Sequence, residues 1–149
     1  MNIKETLFIA CKNYVNTRLQ TVENIISSNQ KALQTETKSS AGDKHETGRA
    51  MLQLEMEKAG VQLAGIQQMK EILAKINIDK TAKIAHLGSV IETNTANYFL
   101  SISVGKITIE NKNYFAISIS SPIGKLLLGK QESDVFSFNG KSFQISKIL

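Results

Sequence analysis

The sequence has few of the residues that cross-link a chain or break its helices: one cysteine, one proline and no tryptophan. A single cysteine, Cys11, excludes an internal disulfide and fits a reducing compartment. Because Cys11 lies among apolar positions of a predicted helix, we expect a buried structural thiol and not a reactive one. No charged-then-apolar leader opens the chain, and no apolar run approaches the roughly 18 residues of a membrane-spanning helix. We therefore expect a cytoplasmic protein without membrane contact.

The two halves of the 149-residue chain differ in composition. Residues 1–79 have no proline, two of the nine Phe and Tyr, and 10 basic against 9 acidic residues. Residues 80–149 have the only proline, the other seven aromatic residues, and 8 basic against 4 acidic residues. This contrast predicts two domains, 1–79 and 80–149. The excess positive charge of the second fits contact with an acidic surface or a nucleic acid, although the charges are not clustered.

Apolar residues in the first domain recur at alternating steps of three and four, which is typical of a coiled coil. The two rows before residue 36 are Phe8, Val15, Val22 and Asn29, and Lys12, Leu19, Ile26 and Leu33; the two rows after residue 51 are Leu52, Ala59, Ile66 and Leu73, and Met56, Leu63 and Lys70. The stretch between them, residues 39–49, interrupts the pattern. We predict an antiparallel helical hairpin about 45 Å long with its tip at residues 39–49.

The second domain changes to a period of two, which predicts short strands. Strands are expected at residues 89–91, 98–104, 107–109, 114–119, 135–138 and 142–148, with turns at Asn111–Asn113 and Asn139–Gly140. Ser121, a good N-cap, and Pro122, favoured at the first helical position, predict a short helix to Leu128. The predicted fold class is α+β: a coiled-coil hairpin followed by a mostly antiparallel sheet domain with one short helix.

Two separated segments resemble the GreA/GreB family of bacterial transcript-cleavage factors. The run SPIGKLLLGK, which begins at Ser121, matches the family pattern S-P-[IM]-[AG]-x-x-L-[LI]-G-K, and an acidic stretch and two strands follow it. The fragment GDKHE, at residues 42–46, matches the G-D-x-x-E that the family carries at the end of a helical hairpin. The resemblance covers nearly the whole chain. It implies an N-terminal hairpin and a C-terminal domain like that of FK506-binding proteins.

The resemblance also implies a mechanism and a partner, RNA polymerase. In the family the C-terminal domain docks at the mouth of the polymerase secondary channel, and the hairpin enters the channel. Asp43 and Glu46 match the two family acids, which help to hold a second Mg²⁺ at the polymerase active centre; carboxylate oxygens suit this ion. The factor is then not an enzyme by itself, has no cofactor of its own, meets nascent RNA indirectly and is monomeric when free. The family's docking segment corresponds to Ser121, Pro122 and Ile123.

The chain departs from the family pattern beside the two acids. Where the family has a further acid and a tyrosine, this sequence has Arg49 and Ala50. Together with Lys44, Arg49 makes the tip formally neutral, and a neutral site attracts Mg²⁺ less than an acidic one. One alternative is therefore a regulator that blocks the channel without stimulating cleavage. Lys44 and Arg49 are then candidates for contact with RNA.

Other interpretations of the same residues remain open. Read without the family, Asp43 and Glu46 form a capping box at the start of the second helix. His45 is expected to be a solvated residue, since no second His or Cys lies near it, and His86 is expected to be structural. A prolyl isomerase or chaperone is a further alternative, but it needs a concave aromatic pocket. The pairs Tyr98–Phe99 and Tyr114–Phe115 are each expected to give one member to the core.

Overall fold

The structure is a computed structural model, which describes the backbone of residues 2–38 and 42–149 and the side chains of residues 2–35 and 47–149. Two long helices come first, followed by six strands and one short helix. Their bounds are α1 Ile3–Lys38, α2 Gly42–Ala74, β1 Val90–Thr93, β2 Asn97–Ser101, β3 Gly105–Ile109, β4 Lys112–Ser118, α3 Pro122–Leu127, β5 Val135–Phe138 and β6 Lys141–Ile148. The predicted α+β class, a helical hairpin before a sheet domain, is confirmed.

One compact unit comprises Val15–Met69 and contains the middle of both long helices. Positions from the predicted apolar rows are buried here: Val15, Val22 and Asn29 on α1, and Ala59 and Ile66 on α2. The alternating steps of three and four thus identified the contact between the two helices correctly. Because α2 begins at Gly42, most of the predicted tip is helical and only residues 39–41 lie between the two helices.

The other compact unit comprises Met1–Tyr14 and Lys70–Leu149, so the predicted boundary at residue 79 lies inside it. Its six-stranded sheet has the order β3-β4-β2-β1-β6-β5. Four of its strand pairs are antiparallel, as predicted. Strands β2 and β4 are parallel, however, with Asn97 opposite Tyr114 and Ser101 opposite Ser118. The prediction of a mostly antiparallel sheet is therefore confirmed, and the β2–β4 pair makes the sheet a mixed one.

Burial explains why β4, and not β3, lies beside β2. Tyr114 and Ala116 of β4 are buried, whereas Lys106 and Thr108 of β3 are exposed. The more apolar strand of the β3–β4 hairpin occupies the inner position, and the strand with the lysine takes the edge. A lysine on an edge strand also discourages pairing with other chains.

The two tight turns of the sheet consist of residues with positive φ. Asn139 and Gly140 have φ of 53° and 77° and join β5 to β6, which confirms the predicted Asn-Gly turn. The β3–β4 turn uses Glu110 and Asn111, at 50° and 67°, so it begins one residue before the predicted Asn111–Asn113.

The sheet is buried on both faces, and both residues of each aromatic pair, Tyr98–Phe99 and Tyr114–Phe115, pack in its apolar interior. Tyr98 and Phe115, whose ring centroids are 6.2 Å apart, belong to the apolar cluster that also contains Leu127 of α3. Phe99 and Tyr114 are also buried, and they lie on the opposite face because successive residues of a strand alternate. The expectation that only one residue of each pair faces a core is therefore wrong.

Cys11 lies on the Phe99 side of the sheet. It is fully buried, and its Sγ is 3.7 Å from Oγ of Ser101. Burial raises the pKa of the Cys11 thiol, which keeps it protonated, so the prediction of a structural thiol is confirmed. The same packing shifts the buried face of α1: Leu7 and Cys11 are buried, while Lys12 of the predicted row is exposed over the ring of Phe8.

Lys4 is a buried lysine in the first turn of α1. It is 5% exposed, and its Nζ donates a hydrogen bond of 2.7 Å to the main-chain oxygen of Lys80. Burial lowers the pKa of Lys4 below the ordinary 10.5, because the interior disfavours the ammonium.

Replacing Lys4 by Met is expected to change how stability depends on pH. Between the lowered pKa and 10.5 the unfolded chain binds more protons at Lys4 than the folded protein, so stability rises with pH in that interval. The free energy of unfolding of Lys4→Met should rise less steeply there than that of the wild type. Urea denaturation at a series of alkaline pH values measures both slopes. Burial also raises the pKa values of Tyr98 and Tyr114, but both proteins have these tyrosines, so their effect on the pH dependence is the same in each. Equal slopes of unfolding free energy against pH in the wild type and Lys4→Met would therefore contradict this role of Lys4.

None of the helices in the described part of the chain combines the length and the apolarity that crossing a bilayer requires.

Candidate functional site

The two acids singled out by the sequence, Asp43 and Glu46, are the second and fifth residues of α2. That helix begins at Gly42, directly after the residues that connect it to α1. Positions three apart in a helix are neighbours on one side, so 43 and 46 share a side of α2. Both side chains lie outside the described residues, as do those of Lys44 and His45. Arg49, the other candidate for RNA contact, is described and is exposed.

The start of α2 at Gly42 bears on the capping-box interpretation. An N-cap residue precedes the helix and has a non-helical backbone. The backbone of Asp43 is helical, and Asp43 is the second residue of α2, so it does not occupy the predicted cap position. The capping-box interpretation is therefore not supported for Asp43, whose backbone lies inside the helix. A carboxylate in the first turn still interacts favourably with the positive end of the helix dipole.

The candidate docking segment, Ser121, Pro122 and Ile123, forms the start of α3. Ser121 is the N-cap: its Oγ accepts a hydrogen bond of 3.1 Å from the backbone N–H of Gly124 and donates one of 2.6 Å to the main-chain oxygen of Ser118. Pro122 occupies the first helical turn and is exposed. Ile123 is half-buried and packs against the apolar cluster of the sheet. Of the three, Pro122 is the most available to a partner.

Gly124 is a structural requirement that the sequence analysis missed. A Cβ at this position would lie 2.0 Å from the main-chain oxygen of Ser118 and 2.9 Å from Oγ of Ser121. The glycine therefore lets α3 pack directly on the end of β4. The only signal in the sequence is the position of Gly124 in the SPIG run, where the family pattern allows Ala or Gly.

Two clefts of the sheet unit bear on the isomerase alternative. One, of about 560 Å³, is lined by residues 81–83, Gln131, Glu132 and Ile148. The other, of about 490 Å³, is lined by residues 93–97, Lys112, Asn113 and Phe115. Phe115 is the only aromatic residue that the described part of the chain gives to either lining, so neither is the aromatic pocket that proline binding needs.

His86 lies just before β1, and its contacts are those of a structural histidine. Its Nδ1 is 2.9 Å from Oγ of Ser89 and 3.2 Å from the main-chain oxygen of Ile84. Its backbone N–H also donates to Ser89 Oγ, at 2.9 Å. Among the described side chains, no group of three histidine, cysteine or carboxylate residues is placed to hold a metal ion.

The helices and sheet define an α+β protein in which a long helical hairpin precedes a mixed sheet with one capped short helix. No protein-family model matches the sequence, and no curated protein matches it. Among solved structures the chain is similar to the prokaryotic transcription elongation factor GreA/GreB from Nitrosomonas europaea, with 16% identity over 56% of this chain and 78% of that one and a TM-score of 0.32.

Proposed function

We propose that this protein is a Gre-like transcription elongation factor. It binds RNA polymerase, inserts its hairpin into the secondary channel and stimulates cleavage of backtracked transcripts. The observation that carries the proposal is the place of Asp43 and Glu46. They are the second and fifth residues of α2, close to where the two long helices are joined, which is where a channel-entering hairpin needs its acids.

The role of the acids is to complete a metal site that the polymerase already holds. Mg²⁺ prefers oxygen ligands and is commonly bound by one or two carboxylates together with water and phosphate. Asp43 and Glu46 supply such oxygens or orient the attacking water, and the polymerase supplies the ion and the remaining ligands. The factor then needs no cofactor of its own and is not an enzyme in isolation.

The proposed docking surface for the polymerase is the start of α3. Pro122 is exposed at its first turn, and the hydrogen bonds of Ser121 fix the direction in which this turn leaves β4. An exposed, rigid turn of this kind offers a partner a surface that loses little conformational entropy on binding.

A second candidate function is a regulator that occupies the channel without stimulating cleavage. The exposed Arg49 favours it, because Arg49 and Lys44 cancel the charge of Asp43 and Glu46. A neutral hairpin end still fills the channel but attracts a cation less strongly.

A stalled, backtracked elongation complex of the cognate polymerase tests both candidates. We expect the protein to bind the complex and to shorten the transcript from its 3′ end faster than the polymerase does alone. Binding with slower elongation and no shortening would favour the blocking regulator. If the protein neither binds the complex nor changes its transcript, both candidates fail.

A further inference from the structure

One side of α2 carries three large apolar side chains that the rest of the described chain leaves open to solvent. Met51, Leu54 and Val61 are 61%, 52% and 75% exposed. With Lys58 they follow steps of three, four and three, which places the four positions on one side of the helix. These four residues form the outer row of α2. The buried row that contacts α1 is a different one and includes Ile66.

The two helices of the hairpin differ in how much apolar surface they expose. Among the described side chains of Val15–Met69, Ile25 is the only exposed large apolar residue on α1. At 39% it is less exposed than each apolar residue of the outer row. Exposed apolar side chains that share one side of an element are typical of a contact with another protein. Within this unit α2 therefore gains more than α1 from a partner.

The outer row lies close to the two acids along the same uninterrupted helix. At about 1.5 Å per residue, Met51 is about 12 Å and Val61 about 27 Å along the axis from position 43. Under the proposed function, position 43 reaches the active centre of the polymerase. The part of α2 nearest to that centre, which holds the outer row, must then lie inside the secondary channel.

The outer row also shares a side of α2 with position 43. Leu54 and Val61 follow Asp43 by 11 and 18 residues, which are close to three and five whole turns at about 3.6 residues per turn. The side of α2 that carries position 43 is the side that must face the metal site of the polymerase. The outer row therefore faces the polymerase as well.

We propose, on the basis of the proposed function, that the outer row of α2 packs against an apolar part of the channel wall of RNA polymerase. The wall removes the exposed parts of Met51, Leu54 and Val61 from water, and this burial contributes to the affinity of the hairpin for the channel. The outer row is a binding surface, whereas the chemical role belongs to Asp43 and Glu46.

Photo-crosslinking in the full-length protein tests which side of α2 meets the wall. Benzoylphenylalanine replaces Leu54 or Val61 in the outer row, or, as controls, Gln53 or Gln67, which are exposed on another side of α2. In a backtracked elongation complex, positions 54 and 61 should crosslink to the polymerase subunits that line the channel, and positions 53 and 67 should give several-fold less product. Equal yields at the four positions, or higher yields at the controls, overturn the proposal.

Removal of the apolar surface tests its contribution to binding. Leu54→Gln/Val61→Gln should raise the dissociation constant for the backtracked complex about tenfold, because two aliphatic side chains are no longer removed from water on binding. Transcript cleavage at saturating protein should equal that of the wild type, since both acids are unchanged. The matched control, Gln53→Ala/Gln67→Ala, should change neither quantity, and circular dichroism checks that both variants fold.

The behaviour of the wild type separates failure of this contact from failure of the proposed function. A wild type that neither binds the polymerase nor changes its transcript contradicts the proposed function, and the contact of the outer row with it. If the wild type binds and Leu54→Gln/Val61→Gln binds equally well, only the contact of the outer row is contradicted. An equal loss of affinity in the control variant contradicts it too, because the effect is then not specific to the outer row.

Discussion

The double variant Asp43→Asn/Glu46→Gln is expected to fold, to bind RNA polymerase and to lose stimulation of transcript cleavage. Both substitutions keep the size and hydrogen-bonding capacity of the side chains but remove the negative charge. A neutral amide is a far poorer ligand for Mg²⁺ than a carboxylate. Since positions 43 and 46 are the second and fifth of α2, removing negative charge near the start of the helix should cost at most roughly 1 kcal/mol.

The matched control for this experiment is Glu57→Gln/Glu71→Gln. It removes the same charge from exposed positions of the same helix, away from its first turn. Thermal unfolding followed by circular dichroism, polymerase binding and 3′ transcript shortening are measured for wild type and both variants. Undiminished cleavage in Asp43→Asn/Glu46→Gln would show that these acids are structural. An equal loss in the control would show that only the overall charge of α2 matters.

Gly124→Ala is expected to destabilise the sheet unit by about 1–3 kcal/mol, the usual cost of inserting a methyl group into a packed site. The added Cβ would lie 2.0 Å from the main-chain oxygen of Ser118, and backbone gives way less easily than a side chain. Movement of α3 would also strain the two hydrogen bonds of Ser121. Urea denaturation measures the change in the free energy of unfolding.

The same substitution at Gly60 is the natural comparison, because it should have the opposite sign. Gly60 lies inside α2, and a Cβ there would meet nothing within 4 Å. Alanine loses less conformational freedom than glycine on entering a helix, so Gly60→Ala should stabilise the protein by about 0.5–1 kcal/mol. If Gly124→Ala proves as stable as the wild type, the Ser118–Ser121 connection is more adaptable than its hydrogen bonds indicate.

The features that the sequence predicted well are those set by local chemistry. Rows of apolar residues at steps of three and four identified both long helices, Ser121 and Pro122 identified the start of α3, and Asn139–Gly140 identified a two-residue turn. Each depends on residues close together in the chain, so a single sequence contains the whole signal.

The features that the sequence did not predict depend on which distant segments meet. The parallel pairing of β2 with β4 follows from burial of Tyr114 and Ala116. The alternation of apolar residues along β4 would be the same beside any other strand, so it does not reveal the strand order. Cys11 replaces the predicted Lys12 in the buried face of α1 because it packs beside Ser101, 90 residues away. Likewise, Ser118, which belongs to β4, leaves no room for a side chain at Gly124 of α3. The residues of the candidate site, in contrast, lie in the contiguous segments GDKHE and SPIG, which the sequence alone displays.

The place of β6 in the sheet has a consequence for the order of folding during synthesis. Strand β6 lies between β1 and β5, and its pairing with β1 joins residues more than fifty positions apart. The sheet therefore cannot be complete until residues 141–148 have left the ribosome, whereas Val15–Met69 is available for helix formation much earlier. Contacts between distant residues also form slowly, because a long loop must first be closed. Cys11 must wait for Ser101, 90 residues later in the chain, which leaves apolar surface of α1 open to chaperones in that interval.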